Sequence, residues 1–406
     1  MTTLTNRVST GALRSWLIVV FFCLMAAACG SGQPAPDDRP PLVRPDPGIM
    51  GDGELKTILD YVVADTGVPA ISAMFAYEGV VLEQAASGKR TSALPEDVTE
   101  NDKWHIGSLT KSMTSMLAAV LVEQGSLSWN TSIADVFPEL VGQINTAYTG
   151  VRLDELLSHT AGVPTSSSEL ADAISRQGGE LPLQRYRFTQ QLLAENPAGP
   201  RGDYAYSNAG YIVAGAMLER VGGMSWEMLM QQYVFGPLGM QETGFGAPGT
   251  PGFNDQPSGH IPNGNDWLPF AAGSADADNP PLFGPAGTVH TTMSDAMRYM
   301  TAHLSGALGY DVPGLLTAQS FTRLHEAMPG TAYSMGWDVT PLGLTHFGSN
   351  NRWFAQIIIV PEPAITIFIA VNAGDPNSPD GGVPIQAIHR TGEFLQQRFE
   401  AATGTG

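Results

Sequence analysis

Segments with the composition of β-strands occur near both ends of this 406-residue chain, and helical patterns fill its centre. Residues 70–84 read as two strands around a Glu-Gly turn, and residues 354–371 as two Ile- and Val-rich strands around a Pro-Glu-Pro turn. Residues 108–234 have mostly helical spacing, whereas the Gly-, Pro-, Asn- and Asp-rich residues 244–285 predict long loops. The sequence therefore predicts an α/β plus all-α fold: an antiparallel sheet built from N- and C-terminal strands and flanked by helices, with a mostly helical insert.

The N-terminus has the pattern of an export signal. Two arginines precede an apolar run at residues 17–28, which is too short to span a bilayer but fits the core of a secretory signal. Small residues end the run before Cys29, so we expect residues 1–28 to be a signal peptide. The segment resembles a bacterial lipoprotein signal, which implies lipidation of Cys29 and a chain secreted across the inner membrane and anchored in the cell envelope. Ala26 departs from the usual leucine, and plain secretion is the alternative.

One domain is expected after a spacer. Residues 29–48 are rich in Pro and polar residues and predict an extended linker. Residues 49–406 form the predicted domain, with an α/β lobe at about 49–107 and 285–406 and a helical lobe at about 108–284. Helices are predicted near both of its ends, at residues 54–64 and 385–401.

Composition excludes several classes of function. The formal net charge is −19, and no run of five basic residues occurs, so we expect no nucleic-acid partner and no membrane contact except through a lipidated N-terminus. Cys23 and Cys29 are the only cysteines, which rules out a disulfide scaffold in the domain. The histidines lack the spacing of a metal site, and we expect neither a metal nor a cofactor. The predicted partner is a small-molecule ester, amide or peptide substrate.

The motif Ser108-Leu109-Thr110-Lys111 begins a helical pattern. Residues three apart on a helix are neighbours, so Lys111 can contact the Ser108 hydroxyl. A serine becomes an effective nucleophile when a base takes its proton, and a lysine can be that base if burial lowers its pKa. The motif alone is weak, because an S-x-x-K match arises easily by chance in a chain of this length.

Further motifs occur along the chain after Ser108. They are Tyr206-Ser207-Asn208, His346-Phe347-Gly348-Ser349, and the segments 156–164, 235–240 and 285–287. With these motifs, residues 49–406 resemble the serine β-lactamase and penicillin-binding-protein superfamily, above all its class C-like branch with family VIII carboxylesterases and D-amino-acid peptidases.

The resemblance implies a role for each motif residue. Ser108 would be the acylated nucleophile and Lys111 its base. Tyr206 would complete the proton relay and protonate the leaving group, and Asn208 would orient Lys111 and contact substrate. The backbone N–H groups of Ser108 and Ser349 would form the oxyanion hole, in which each donor typically contributes about 3–4 kcal/mol.

His346 departs from the family pattern, because it stands where the lysine of K-T-G is expected and no lysine follows Lys111. His346 and Gly348, the H-x-G of this chain, would line the substrate site without a permanent cation to bind a substrate carboxylate. We therefore expect a serine hydrolase that cleaves esters or amides, either an esterase or a D-peptidase, with at most weak β-lactamase activity. The alternative is a non-catalytic envelope-binding or scaffold protein on the same fold.

Overall fold

A seven-stranded antiparallel sheet organises the molecule. The computed structural model describes residues 42–404 except 166, 275 and 379. The strand order is β2-β1-β12-β11-β10-β9-β8, so strands from the two ends of the chain pair at its centre. The main-sheet strands are β1 (Ala70–Tyr77), β2 (Val80–Gly88), β8 (Tyr333–Ser334), β9 (Trp337–Thr340), β10 (Gly343–Ser349), β11 (Phe354–Val360) and β12 (Ile365–Val371). The predicted fold class is confirmed.

Two small sheets accompany the main sheet. Strands β3 (Trp104–His105), β7 (Val289–Thr291) and β4 (Gly244–Phe245) form one, in that order. Strands β5 (Gly259–Asn263) and β6 (Asp266–Phe270) form a hairpin.

Helices cover both faces of the main sheet and fill the middle of the chain. The α-helices are α1 (Leu55–Thr66), α2 (Thr110–Glu123), α3 (Ile133–Val136), α4 (Thr146–Thr149), α5 (Leu153–Leu157), α6 (Ser168–Gln177), α7 (Leu181–Ala194), α8 (Asn208–Gly222), α9 (Trp226–Met230), α10 (Gly236–Leu238), α11 (Gly284–Gly287), α12 (Met293–Ala307), α13 (Ala318–His325) and α14 (Gly382–Thr403). Short 3₁₀ turns lie at Gly107–Leu109, Pro138–Leu140 and Pro281–Phe283, and a π-helical turn at Gln231–Phe235.

Strand β12 shows why the sheet is buried on both faces. Its seven residues are all apolar or threonine, and all are buried. Successive side chains of a strand point to opposite faces. Ile367 and Ile369 pack with α1 and α14 in one cluster, whereas Phe368 and Ala370 join the larger cluster that contains α2, α8 and α12. The larger core thus connects the sheet to the helices of the central region.

The predicted terminal elements lie close to their expected positions. Strands β1 and β2 meet at Glu78 and Gly79, whose φ angles are 50° and 77°, as a tight two-residue hairpin turn requires. The second predicted hairpin is β11–β12, and the predicted first and last helices are α1 and α14.

Residues 244–285 contain more structure than their composition predicts. The β5–β6 hairpin lies in this segment and is attached to the C-terminal part of the domain: His260 Nδ1 is 2.7 Å from Asn372 O, and the amide of His260 donates to Arg352 O at 3.0 Å. A Cβ on Gly259 would overlap the Trp353 indole. These contacts come from residues about 100 positions away, so tertiary packing outweighs the local loop composition.

The N-terminal predictions fall outside this structure. The expected signal peptide at 1–28, Cys29 and residues 30–41 of the linker lie outside the described residues. From residue 42 onward, excluding 166, 275, 379, 405 and 406, none of the helices combines the length and the hydropathy needed to cross a membrane.

Candidate active site

Ser108 lies on a sharp turn between β3 and α2. Gly107 adopts φ +49°, in the left-handed region that favours glycine, and a Cβ there would overlap the backbone nitrogen of Ser349. The Gly107 amide donates to His105 Nδ1 at 3.1 Å, and His105 Nε2 lies 2.9 Å from an Asp278 carboxylate oxygen. The close contact with Ser349 and the hydrogen bonds through His105 therefore fix this turn. Ser108 lies at the N-terminal end of α2.

Lys111 is fully buried and lies against Ser108. Its Nζ is 2.9 Å from Ser108 Oγ, 2.7 Å from Asn208 Oδ1 and 2.7 Å from Ala286 O. Desolvation lowers the pKa of Lys111 well below its ordinary value. The amide and carbonyl oxygens can only accept, so both N–H bonds of a neutral amine point at them. Its lone pair then faces the Ser108 hydroxyl, which is the arrangement a general base needs.

Tyr206 and Asn208 reach this site from the start of α8. The Ser207 hydroxyl accepts from the Gly210 amide at 3.0 Å and donates to Pro164 O at 2.5 Å, which fixes the helix end. Lys111 Nζ lies 4.8 Å from the centroid of the Tyr206 ring. Burial raises the pKa of Tyr206 above its usual range, and a hydrogen bond with Ser108 partly opposes this change. The phenol is therefore protonated at neutral pH and can donate a proton.

Strand β10 packs edge-on against the Ser108 turn. A Cβ on Gly348 would overlap the carbonyl oxygen of Ile106 and lie 3.0 Å from Ser108 N. The close approach places the backbone of Ser349 beside Gly107 and Ser108. The backbone N–H groups of Ser108 and Ser349, which are the donors expected of an oxyanion hole, therefore lie where β10 contacts the Ser108 turn.

His346 takes part in a buried hydrogen-bonded chain. The Ser207 amide donates to His159 Nδ1 at 3.0 Å, so a neutral His159 carries its proton on Nε2, 3.2 Å from Tyr333 Oη. Tyr333 Oη then donates to His346 Nε2, 3.4 Å away. Burial, assisted by the Lys111 charge, lowers the pKa of His346 to about 3. His346 is thus a neutral side chain at neutral pH.

Two clefts open on either side of Ser108, and Ser349 lines both. The first, here called the tyrosine cleft, has a volume of about 310 Å³ and is lined by Tyr204, Tyr206, Tyr333, Asp338, His346 and Phe354. The second, the polar cleft, has a volume of about 480 Å³ and is lined by Asp172, Asn208, Asp278, Asn350, Asn351 and Arg352. A bound substrate can therefore extend in two directions from the nucleophile.

The candidate site residues of the domain lie close together in the structure. Cys29 lies outside the described residues. Ser108, Lys111, Tyr206, Asn208, His346, Gly348 and Ser349 all lie around one site. In the part of the chain that the structure describes, no group of three or more His, Cys, Asp or Glu side chains is arranged to hold a metal ion.

Sequence reasoning missed three groups of this site. Ala286 belongs to the motif at 285–287, but the contact of its carbonyl oxygen with Lys111 was not predicted, because a backbone carbonyl has no side-chain signature. Tyr333 and Asp338 lie on short strands beside β10, and only the pairing of β8, β9 and β10 reveals that they face Ser108.

Comparisons with known proteins place this geometry in a family. The family described as Beta-lactamase matches residues 55–389. Penicillin-binding protein 4 of Amycolatopsis lactamdurans is 26% identical over 72% of this chain and 78% of its own length. The D-alanyl-D-alanine-carboxypeptidase/endopeptidase AmpH of Escherichia coli K12 is 24% identical over 66% of this chain and 70% of its own.

A solved structure has the same fold. The D-amino acid amidase from Ochrobactrum anthropi SV3, complexed with L-phenylalanine, superposes with a TM-score of 0.65 at 20% identity, covering 84% of this chain and 98% of that chain. The family match spans most of the chain and confirms the resemblance drawn from its motifs. The chain is a serine hydrolase that belongs to the Beta-lactamase family.

Proposed function

We propose that this enzyme hydrolyses ester or amide bonds through an acyl-enzyme on Ser108. The observation that carries the proposal is the contact of the buried Lys111 amine with the Ser108 hydroxyl, with the two other polar contacts of Nζ made to oxygen acceptors. A neutral amine in this position can take the serine proton as Oγ attacks the substrate carbonyl.

Acylation follows from the positions of the neighbouring groups. Ser108 Oγ forms a bond to the carbonyl carbon while its proton passes to Lys111 Nζ. The negative charge that develops on the carbonyl oxygen is stabilised by the N–H groups of Ser108 and Ser349. The proton then passes through the Tyr206 hydroxyl to the leaving group as its bond to carbon breaks. Asn208 holds Lys111 in place throughout.

Deacylation uses the same groups in reverse. A water molecule takes the place of the leaving group, gives its proton through Tyr206 to Lys111 and attacks the ester carbon. The bond between that carbon and Ser108 Oγ breaks, and Oγ regains its proton from Lys111. The products are a carboxylic acid and the free enzyme.

The proposed substrates are esters or amides whose binding does not require an enzyme cation that pairs with a substrate carboxylate. His346 is neutral, so it offers no permanent charge at the position where K-T-G enzymes have lysine. AmpH is by its name a D-alanyl-D-alanine-carboxypeptidase/endopeptidase, and the structural relative is a D-amino acid amidase. These relatives support D-amino-acid amides and D-peptides as substrates to test beside simple esters, with β-lactams expected to react slowly.

The test is the replacement of Ser108 by alanine. We expect Ser108→Ala to abolish hydrolysis of p-nitrophenyl acetate and the mass increase caused by a serine-reactive phosphonate. Ser126→Ala is the matched control, because Ser126 is exposed just after α2 and should leave both measurements unchanged. Phosphonate labelling of the Ser108→Ala protein at the wild-type rate would refute the proposal, and a wild-type protein that never forms an adduct would favour a non-catalytic scaffold.

We also propose that the enzyme is exported and anchored in the envelope through a lipid on Cys29. The apolar run at residues 17–28, followed directly by Cys29, supports this proposal. In a bacterial host, Cys29→Ser should move the protein from the membrane fraction to the soluble fraction and abolish labelling by an alkynyl fatty acid. Unchanged membrane association of this variant would contradict lipid anchoring.

A further inference from the structure

The tyrosine cleft contains an acidic side chain that the proposed mechanism does not use. Asp338 lies on β9, where it pairs with Thr345 of β10 and with Tyr333 of β8, and it lines the cleft together with Ser108. Burial raises the pKa of Asp338 to about 6, and no hydrogen bond or cation from the described residues opposes this effect. At neutral pH the cleft therefore holds a carboxylate without a counter-ion from the described part of the chain.

Aromatic rings lie in the same cleft as this carboxylate. Tyr204, Tyr206 and Phe354 line the same cleft, and Tyr204 is 45% exposed at its rim. Burial, and after it the negative charge of Asp338, raises the pKa of Tyr204 to about 12, as expected for a phenol that faces an anion. A carboxylate among aromatic faces is the arrangement that proteins use to bind ammonium groups, because both attract a cation.

Acidic side chains also predominate in the lining of the neighbouring clefts. A third cleft of about 260 Å³ shares Ser349 and Phe354 with the tyrosine cleft. Among the described residues that line the three clefts, the charged ones are Asp338, Asp172, Asp278, Asp375, Asp380 and Arg352. Acidic residues outnumber basic ones five to one, and such a lining raises the local concentration of cations over that of anions.

The position of Tyr206 indicates which part of the substrate occupies the tyrosine cleft. It lines the tyrosine cleft, whereas Asn208 lines the polar cleft on the other side of Ser108. In the proposed mechanism Tyr206 protonates the leaving group, so the leaving group extends toward Tyr206 and Asp338 and the acyl part extends toward Asn208. The cleft volume of about 310 Å³ is near the lower end of the usual range for small-molecule sites, which suits a small leaving group.

We propose that the tyrosine cleft is a cation subsite in which Asp338 and the rings of Tyr204 and Phe354 bind a positively charged nitrogen in the leaving group of the substrate. The inference rests on the proposed function, since Tyr206 assigns the cleft to the leaving group. It selects amino-substituted esters or amides over substrates whose leaving group carries a carboxylate.

Two acetate esters of nearly equal shape provide the test. One, 3-(trimethylammonio)phenyl acetate, carries a cation in its leaving group, and the other, 3-tert-butylphenyl acetate, is neutral. Their phenols differ in acidity, so the readout is the change in the ratio of their kcat/KM values between enzyme variants. We expect Asp338→Asn to lower this cation-to-neutral ratio at pH 7.5 by about 10-fold or more. Asp338→Glu, which keeps the charge, should retain most of the preference.

Glu393→Gln is the matched control, since it removes an exposed carboxylate of α14 that lines none of the three clefts. It should change the ratio less than 3-fold, the small effect expected of a screened distant charge. An unchanged ratio in Asp338→Asn, or an equal fall in both variants, would overturn the subsite.

Binding without turnover separates this inference from the proposed function. Calorimetry on the Ser108→Ala protein should show saturable binding of phenyltrimethylammonium, which the further change Asp338→Asn abolishes and Glu393→Gln preserves. Absence of binding in Ser108→Ala would overturn the subsite, whatever the activity assays show about Ser108. Binding that survives Asp338→Asn would overturn it as well.

Discussion

Lys111 Nζ lies 2.7 Å from Asn208 Oδ1, although 97 residues separate the two in the chain. Lys111 belongs to the first turn of α2 and Asn208 to the first turn of α8, so the contact joins the N-terminal ends of two buried helices beside Ser108. An amide oxygen accepts from the amine without adding a full charge. The amine can therefore be held in place and still lose its proton.

Asn208→Asp tests this uncharged contact. A carboxylate at hydrogen-bond distance favours the protonated amine, so the variant should raise the pKa of Lys111 and lower kcat/KM at pH 7 by about 10–100-fold. Activity should recover as the pH is raised. The measurement is the pH profile of kcat/KM for p-nitrophenyl acetate. Asn208→Ala adds no charge and should lose activity without a shift of the profile to higher pH; coincident profiles for the two variants would contradict the argument.

The pH dependence of the wild-type enzyme follows from the burial of Lys111. Desolvation lowers its pKa well below the ordinary value of 10.5. The active form is the neutral amine, so kcat/KM should rise with pH through this lowered pKa and reach a plateau below pH 10.5. Lys111→Arg keeps a cation that does not deprotonate, and it should lower kcat/KM by about 10²–10⁴-fold at every pH tested. An arginine variant with a wild-type profile would exclude Lys111 as the base.

Gly348 is expected to tolerate no side chain. A Cβ there would overlap Ile106 O and lie 2.8 Å from Leu109 N, so Gly348→Ala must push β10 away from the nucleophile turn. Displacement of one oxyanion donor costs about 10²–10³-fold in kcat, and we expect a loss of this size with a lower melting temperature. Gly199→Ala is the control, because nothing lies within 4 Å of its added Cβ. A Gly348→Ala enzyme with wild-type kcat would show that β10 does not supply the donor.

Arg185 stabilises the segment that carries Ala286. Its buried guanidinium pairs with Glu219 and Glu227. It also donates to the backbone oxygens of Pro281 and Leu282, which precede Ala286 in the same segment of the chain.

Arg185→Met leaves the buried Glu219 and the half-buried Glu227 without their cation, so it should lower the free energy of unfolding by about 3–5 kcal/mol in urea titration. The control is Arg220→Met, which removes an exposed pair with Glu139 and should cost about 0–1 kcal/mol. Equal losses in the two variants would contradict a special role for the buried pair.

Local spacing predicted the contact between Ser108 and Lys111, because residues three apart on a helix are neighbours whatever the remaining fold. The placement of Tyr206, Asn208 and His346 followed from the resemblance to a family and from no local pattern. The terminal strands were predictable because their apolar runs are long.

Other features depend on contacts distant in sequence. The β5–β6 hairpin is attached to residues about 100 positions away, and the hydrogen bond of Lys111 to Ala286 O involves a backbone atom. Asp338 is one acidic residue among many until the register of β9 with β10 places it in the cleft with Ser108. The spacing of residues in the sequence does not predict these contacts.

Tyr206→Phe tests the route by which the leaving group obtains its proton. The ring stays in place against Lys111 and His159, so the change removes the hydroxyl with little effect on packing. A p-nitrophenolate ion leaves readily without a proton, whereas an alkoxide or an amine does not. The loss in kcat/KM should therefore be about 10²–10⁴-fold for alkyl esters and amides, and clearly smaller for p-nitrophenyl acetate.

The measurement for Tyr206→Phe is the dependence of log kcat/KM on the pKa of the leaving group across a series of acetate esters. The plot should be steeper for the variant than for the wild type, because protonation no longer compensates for a poor leaving group. Tyr204→Phe, which removes a neighbouring hydroxyl of the same cleft, should leave the slope unchanged. Parallel plots for Tyr206→Phe and the wild type would assign the proton to another donor, since a purely structural defect lowers all esters by the same factor.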